Sequence, residues 1–243
     1  MNNKKEVKQR IKNLEKELAL LKASIECPTH PPQRLPYSID VLVDKITNNT
    51  LPEDLVVGDY IDVELYTGEV VRFYVVGTEC DKNGSKTLDY TFGTTFVDLR
   101  LKMNDDATNA TSWKESKMRK VYLPRLMRLL PKSLQDNIAP VTKYTSAGNQ
   151  SKRMIETEDK LFLFSEVEIY GKTSLSHEGE GKQYPFFEDK ENRKIENYPW
   201  LRSPYRGGSR SFCCVCGADD TYYNYANSSC GVAFGFCLSS KNQ

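Results

Sequence analysis

The chain has 243 residues, 39% of them hydrophobic and 28% charged, which is enough apolar material for the core of one or two domains. Its formal net charge is only +1, from 34 basic and 33 acidic side chains, so no overall field favours nucleic acid or an anionic membrane. No apolar run approaches the roughly 20 residues of a membrane helix, and the charged N-terminus does not fit a secretory signal. We therefore expect no nucleic-acid partner, no membrane insertion, and either assembly in a cytosol or export by a route that the sequence does not show.

A heptad pattern occupies the start of the chain. Apolar residues follow one another at spacings of 4, 3, 4, 3 and 4, namely Val7, Ile11, Leu14, Leu18, Leu21 and Ile25. The stripe is narrow and the other faces carry Lys, Glu, Gln and Asn, as in a coiled coil. We predict an oligomerisation helix over residues 1–26 that self-associates as a dimer or a trimer, with a single amphipathic helix lying on the domain as the alternative. Three heptads are short, so the helix needs support from the rest of the protein to hold an oligomer.

Residues 27–36 form a proline-rich linker. Four prolines in ten residues exclude a helix and predict a stiff, extended spacer. A head follows over residues 37–243. Coiled coil, spacer and head together suit a protein that displays its head.

The first part of the head has a mixed α/β pattern. Residues 38–46 fit either a short helix or a strand, and both alternatives stay open. Residues 60–66 and 69–76 alternate apolar and polar side chains around Thr67-Gly68. This alternation and its turn residues predict a β-hairpin.

Further elements are predicted downstream. Ser112 and Glu115 form a capping-box pattern, which predicts a helix that continues to about Arg119. Residues 125–130 lie between two prolines and fit a second short helix, and the apolar run 159–165 fits a buried strand.

Two acidic residues follow that strand. Glu166 and Glu168 invite an interpretation as a general acid/base pair. No His, Ser or Lys lies at a suggestive spacing, so we expect a solvated edge or a structural ion pair and no catalytic residues.

Four ordered motifs carry a resemblance to a known family. They are Trp113–Arg119 (WKESKMR), Thr157–Glu166 (TEDKLFLFSE), Trp200–Pro204 (WLRSP) and Gly231–Leu238 (GVAFGFCL). The chain resembles a domain-of-unknown-function family common in phages and gut bacteria, whose members end in a WLRSP motif and a GVRPAF-like strand. This chain has Ala233-Phe234 where the family has an Arg-Pro pair.

The family is distantly similar to C-type-lectin-like domains. That group includes the variable proteins of diversity-generating retroelements and the formylglycine-generating enzymes. The resemblance covers residues 37–243 and not the coiled coil, and it implies a C-type-lectin-like mixed α/β head with a variable C-terminal face. Together with the coiled-coil helix that the heptads predict, the expected fold class is α+β.

The segment 201–240 has an unusual composition. It contains no Lys, Glu, Gln, Met or Trp, the five residue types that have no codon ending in a pyrimidine. Retroelement diversification mutates adenines in AAC and AAT codons and yields only residues with pyrimidine-ending codons, so the resemblance supplies a mechanism for the gap. The alternative is compositional drift in a short glycine-rich β segment.

What remains in this segment is typical of an evolved binding surface. Aromatic faces suit sugar rings or apolar protein patches, and polar side chains supply directional hydrogen bonds. The predicted ligand-binding residues are Tyr205, Arg206, Arg210, Asp219, Asp220, Tyr222, Tyr223, Asn224, Tyr225 and Asn227. The residues expected to be structural are Trp200, Val215, Val232, Phe234 and Phe236, while Phe212 stays open.

Five cysteines also lie close together in this segment: Cys213, Cys214, Cys216, Cys230 and Cys237. Four thiolates could bind zinc, but there is no second CxxC, and neighbouring strand residues point to opposite faces. We rank unpaired cysteines above disulfides and both above zinc, and we predict no metal and no cofactor.

These features favour a non-enzymatic display and ligand-binding module. We expect a phage virion fibre or other appendage protein, assembled in the host cytoplasm with other virion proteins, that recognises a host-surface glycan or protein. A location on a bacterial cell surface is the alternative. The competing functions are a purely structural virion protein and an enzyme with the formylglycine-generating fold.

Overall fold

The computed structural model describes residue 10 and residues 30–51, 55–94, 99–195 and 197–241. The chain divides into two compact units, Met1–Pro31 and Pro32–Gln243. The predicted coiled coil over residues 1–26 therefore lies outside the described residues, apart from Arg10. The end of the predicted linker belongs to the second unit, where the Leu35 N–H donates to the Tyr60 carbonyl at 2.8 Å.

The second unit is a mixed α+β structure whose paired strands are antiparallel. Its strands are β1 (Tyr60–Glu64), β2 (Val70–Asn83), β3 (Lys86–Gly93), β4 (Arg100–Lys102), β5 (Val141–Ser146), β6 (Met154–Asp159), β7 (Phe162–Leu163), β8 (Trp200–Pro204), β9 (Ser211–Val215), β10 (Thr221–Tyr225), β11 (Ser229–Gly231) and β12 (Phe234–Leu238). Its α-helices are α1 (Ile39–Thr47), α2 (Leu123–Met127), α3 (Lys132–Asn137) and α4 (Glu166–Tyr170). A π-helical turn spans Met118–Tyr122, and 3-10 turns span Pro185–Glu188 and Lys190–Arg193.

A five-stranded sheet in the order β1-β2-β3-β12-β7 forms the centre of the fold. The predicted hairpin is confirmed, with Tyr60 opposite Tyr74 and Glu64 opposite Val70. The last strand, β12, inserts between β3 and β7. The ring of Phe236 on β12 contacts that of Phe73 on β2, with 5.2 Å between their centroids, so strands from both ends of the unit share one aromatic core.

A second sheet, in the order β10-β9-β8, carries most of the segment with the unusual composition. All five residues of β9 are buried. Phe212 packs with one hydrophobic cluster and Cys213 with another, because successive strand residues point to opposite faces. All the residues expected to be structural, and also Phe212, are at most 3% exposed. Strand β9 is therefore the fully buried neighbour of the edge strand β10 in the same sheet.

The segment 38–46, which the sequence left open, is helical. The Ser38 hydroxyl accepts a hydrogen bond from the Val41 N–H and caps α1. The apolar side of α1 then packs into the core through Leu42, Val43 and Ile46.

The capping-box prediction at Ser112 was wrong. Ser112 has a φ of 58°, and its hydroxyl donates to the Ser146 carbonyl on β5. The Trp113 indole donates to the Asp159 carboxylate at 3.0 Å. Ser112 therefore lacks the extended backbone of an N-cap residue, and helical structure begins only at Met118.

Candidate ligand-binding face

The edge strand β10 exposes a row of tyrosines. Tyr222, Tyr223 and Tyr225 are 54%, 37% and 53% exposed, whereas Thr221 at the start of the strand is buried. Strand β10 pairs with β9 along one side and lies at the edge of its sheet. Large aromatic side chains on an exposed sheet edge are unusual in a surface that contacts only water.

The tyrosine rings are stacked on one another. Tyr205, in the loop between β8 and β9, lies 3.9 Å from Tyr223 with an interplanar angle of 4°. Tyr223 lies 5.3 Å from Tyr222 at 14°. Neighbouring strand residues ordinarily point to opposite faces, yet the rings of Tyr222 and Tyr223 lie side by side and both are exposed. We call Tyr205, Tyr222, Tyr223 and Tyr225 the tyrosine face.

Three of the predicted polar contact residues accompany the tyrosine face. The Arg210 guanidinium lies 5.0 Å from the centroid of the Tyr225 ring, a cation–π arrangement that holds both side chains. Arg206 is exposed beside Tyr205, and Asn227 is exposed in the turn that follows β10. These side chains are available for contact with a ligand.

The other three predicted polar residues are engaged within the protein. Asp219 forms an ion pair with Lys190 at 2.6 Å, and this hydrogen bond lowers the pKa of Asp219. Asp220 accepts from the Thr221 N–H at 3.0 Å. The Asn224 amide donates to the Cys230 sulfur at 3.5 Å, and its oxygen accepts from the Tyr225 N–H at 2.9 Å. Asp219 and Asp220 thus order the β9–β10 turn, and Asn224 ties β10 to β11.

Sequence reasoning missed Asn109, which holds the loop that carries Tyr205 and Arg206. The buried Asn109 amide donates to the carbonyls of Ser211 at 2.7 Å, Gly208 at 2.9 Å and Tyr205 at 3.4 Å. Its own N–H donates to the Ser209 carbonyl at 2.8 Å. A single asparagine in an irregular segment gives no signal of this role, because its contacts lie almost a hundred positions away along the chain.

The WLRSP motif forms β8, the third strand of the same sheet, on the side of β9 away from β10. All five residues of β8 are buried, and the Arg202 guanidinium forms a two-point contact with Glu168, in which Nη2 and Oε1 lie 2.8 Å apart. The Arg202 N–H also donates to the Phe164 carbonyl at 2.9 Å. Two of the motifs that carried the family resemblance therefore contact each other directly: Phe164 belongs to the second motif and Arg202 to the third.

A second buried cation completes this ionic cluster. The Lys143 ammonium lies 2.6 Å from Asp81 and 3.1 Å from Glu168. Burial pushes the pKa of Glu168 upward, but Arg202 and Lys143 outweigh it and hold that pKa below its ordinary value. Glu168 thus forms the structural ion pair that was one of the two expected arrangements.

Glu166 has a different structural role. It is fully buried, so the expectation of a solvated edge was wrong for this residue. Its carboxylate accepts from the N–H groups of Ser174 at 3.1 Å, Leu175 at 3.0 Å and Ser176 at 2.7 Å. Three converging N–H donors fix the backbone of the segment that leads away from α4.

Glu180 is a third buried carboxylate next to this cluster. It accepts from the Ser146 N–H at 2.9 Å and from the Ser203 hydroxyl, and no described residue forms an ion pair with its carboxylate. Burial raises its pKa to about 7, and the two hydrogen bonds and the charge of Arg202 only partly offset that effect. The charged form of Glu180 is therefore less well stabilised than that of Glu168.

The five cysteines of the tail are separate free thiols. Burial raises the pKa values of Cys213 and Cys237, and Cys237 lies in a different part of the core, 3.5 Å from the Thr91 hydroxyl. Cys214 and Cys230 share a hydrogen bond, which raises the pKa of Cys214 and lowers that of Cys230. Within the described residues, no cluster of three or more His, Cys, Asp or Glu side chains has a geometry suited to a metal ion.

Comparison with known protein families identifies a match. The family model described as Domain of unknown function (DUF6273) covers residues 90–240, which include the tyrosine face, the segment 174–180 and the WLRSP strand. No curated protein and no solved structure matches the chain. In the described ranges, every helix is too short or too polar to cross a bilayer.

Proposed function

The chain belongs to the family described as a domain of unknown function (DUF6273), and we propose that it is a non-enzymatic ligand-binding module. Its binding surface is the tyrosine face together with Arg206, Arg210 and Asn227. The observation that carries the proposal is the stack of exposed tyrosine rings at the open edge of β10.

The chemistry of this surface suits recognition. Tyrosine rings offer a large contact area at low cost in conformational entropy, and each hydroxyl can form a hydrogen bond at the rim. Because Tyr205, Tyr222 and Tyr223 are already stacked, they lose little further freedom when a ligand covers them. The arginines next to the rings add charged hydrogen-bond donors.

The frame beneath the surface suits the same role. Strand β9 is buried along its whole length, and Asn109 fixes the loop that carries Tyr205. A rigid frame allows the exposed residues to change without loss of the fold. This division supports the interpretation of residues 201–240 as a diversified segment, in a C-type-lectin-like head similar to the variable proteins of diversity-generating retroelements.

The whole chain is then a display protein. The heptads of residues 1–26 would bring two or three heads together, and the proline-rich linker would project them. Several weak sites acting together bind far more tightly than one. We place the protein on a phage virion, as part of a fibre or other appendage, where it recognises a glycan or a protein on the host surface.

Replacement of Tyr222, Tyr223 and Tyr225 together with Ala tests this proposal. Glycan arrays and intact bacterial cells should bind the native chain and lose at least about 90% of the bound signal with the variant, a change of about 1.4 kcal/mol or more. A matched control replaces Tyr66, Val70 and Tyr144, which are also exposed (65%, 62% and 44%) and lie outside this face. If the tyrosine variant folds and binds as well as the native chain, this surface is not the binding site.

A further inference from the structure

A cleft opens beside the tyrosine face. It has a volume of about 400 Å³ and is lined by Lys152, Ser176, His177, Glu178 and Arg206. Arg206 directly follows Tyr205, whose ring is part of the tyrosine stack. The lining therefore adjoins the proposed binding surface, and its two permanent cations outnumber its single carboxylate.

The floor of the cleft is held rigidly. The N–H groups of Leu175 and Ser176 donate to the buried Glu166 carboxylate. The Arg206 N–H donates to the Leu175 carbonyl at 2.8 Å, which joins the β8–β9 loop to the same segment. Two separate parts of the chain are thus fixed against each other where the cleft forms, as in a preorganised site.

Several polar groups of the lining have no partner. Ser176 is fully buried, yet its hydroxyl and the His177 Nε2 form no hydrogen bond with any residue that the structure describes. Likewise, no described carboxylate forms an ion pair with the side chains of Lys152 or Arg206. Buried polar atoms are normally paired, so unpaired ones in the wall of a cationic cleft indicate that a ligand supplies the missing contacts.

We propose that this cleft binds the anionic group of an acidic saccharide, for example the carboxylate of a uronic acid. The inference rests on the proposed function, because the sugar ring next to that group would stack on the tyrosine face. A guanidinium such as that of Arg206 matches the two oxygens of a carboxylate, and the Ser176 hydroxyl adds a donor. The stack favours a saccharide over an acidic peptide, since its outer rings, Tyr205 and Tyr222, each keep one face that the stack does not cover and that suits a pyranose ring.

A titration of the full chain with two oligosaccharides tests the inference. One probe contains glucuronic acid, and the other is a neutral glucose oligosaccharide of the same length. The chain has only two histidines, so the imidazole NMR signals of His177 report on the cleft and those of His30 serve as an internal reference. We expect the acidic probe to bind about tenfold more tightly than the neutral one and to shift the signals of His177 alone.

Arg206→Gln should abolish this preference, and Arg153→Gln is the matched control. Arg153 is exposed in the same loop as Lys152 but does not line the cleft. Arg206→Gln should weaken binding of the acidic probe about tenfold more than binding of the neutral probe, whereas Arg153→Gln should change neither. Equal affinity for both probes, or an acidic preference that survives Arg206→Gln, would overturn the inference.

The outcomes also separate this inference from the proposed function. If both probes bind equally and the tyrosine variant abolishes both, the binding face stands and the anion site fails. If the acidic probe shifts His177 and the tyrosine variant has no effect, the anion site stands and the tyrosine face fails. If only a polyglutamate peptide binds, in an Arg206-dependent manner, the ligand is an acidic protein and the saccharide inference is wrong.

Discussion

The free energy of unfolding of the Glu180→Gln variant should exceed that of the native chain by an amount that grows as the pH rises. Glu180 is fully buried and its carboxylate forms no ion pair with a described residue, so burial disfavours its negative form more than the nearby Arg202 stabilises it. Glutamine has nearly the same shape. Its oxygen can still accept from the Ser146 N–H, and its amide can donate to the Ser203 hydroxyl, so it imitates the protonated acid.

The size of this difference in unfolding free energy follows from the pKa of Glu180, which is about 7 in the folded protein and 4.5 in the unfolded chain. The folded state binds the proton more tightly than the unfolded chain. Glu180 therefore lowers the unfolding free energy little below pH 4.5, and this loss of stability grows as the pH rises until it levels off above pH 7. The full penalty is about 3 kcal/mol at about 1.4 kcal/mol per pH unit. Between pH 5 and pH 8, the native chain should lose about 2.5 kcal/mol of unfolding free energy relative to the variant.

Urea denaturation of both proteins at pH 5, 6, 7 and 8 measures this difference. Other carboxylates titrate in both proteins, so only the difference between the two curves reports on Glu180. The exposed neighbour Glu178→Gln controls for the loss of one negative charge. A difference between native chain and Glu180→Gln that stays constant over this pH range would refute the reasoning.

Two further predictions concern the frame of the site. Asn109→Ala removes three side-chain hydrogen bonds to the loop 205–211, so it should lower the free energy of unfolding by about 1–3 kcal/mol and speed amide hydrogen exchange in that loop. The control Asn137→Ala removes one hydrogen bond within α3 and should lower the stability less. If the loop of Asn109→Ala exchanges as slowly as in the native chain, the prediction is wrong. Arg202→Met leaves Glu168 with Lys143 as its remaining cation and should lower the free energy of unfolding, measured by urea denaturation, by about 3–5 kcal/mol. The stability of Arg202→Lys should lie between those of the native chain and Arg202→Met. A loss below about 1 kcal/mol in Arg202→Met would show that the two-point contact contributes little.

Local patterns in the sequence predicted part of the fold. The alternation in residues 60–76 and its Thr67-Gly68 turn were enough for the hairpin, because both partners lie within one short window. The pattern at Ser112 had the right residues for a cap but failed, because Ser112 has a left-handed backbone (φ 58°) where an N-cap is extended. The contact of Ser112 with Ser146 on β5 leaves no trace in a local pattern.

The candidate site was predictable to a similar degree. The unusual composition and the tyrosines marked residues 201–240, and the structure exposes three tyrosines on one edge strand. The same composition covers buried strands such as β9, so it could not separate frame from surface. The supports could not be found either, because Asn109 and Glu166 act through backbone groups, which every residue type carries.

The central claim is that the tyrosine face contacts a ligand on a cell surface. Hydroxyl-radical footprinting of the protein, free and bound to bacterial cells, measures that contact directly, because tyrosine oxidation depends on exposure. We expect binding to reduce oxidation of Tyr222 and Tyr225 strongly and to leave that of the exposed Tyr66 and Tyr144 unchanged. Unchanged oxidation of Tyr222 and Tyr225 on cell-bound protein, or protection of Tyr66 and Tyr144 instead, would contradict it.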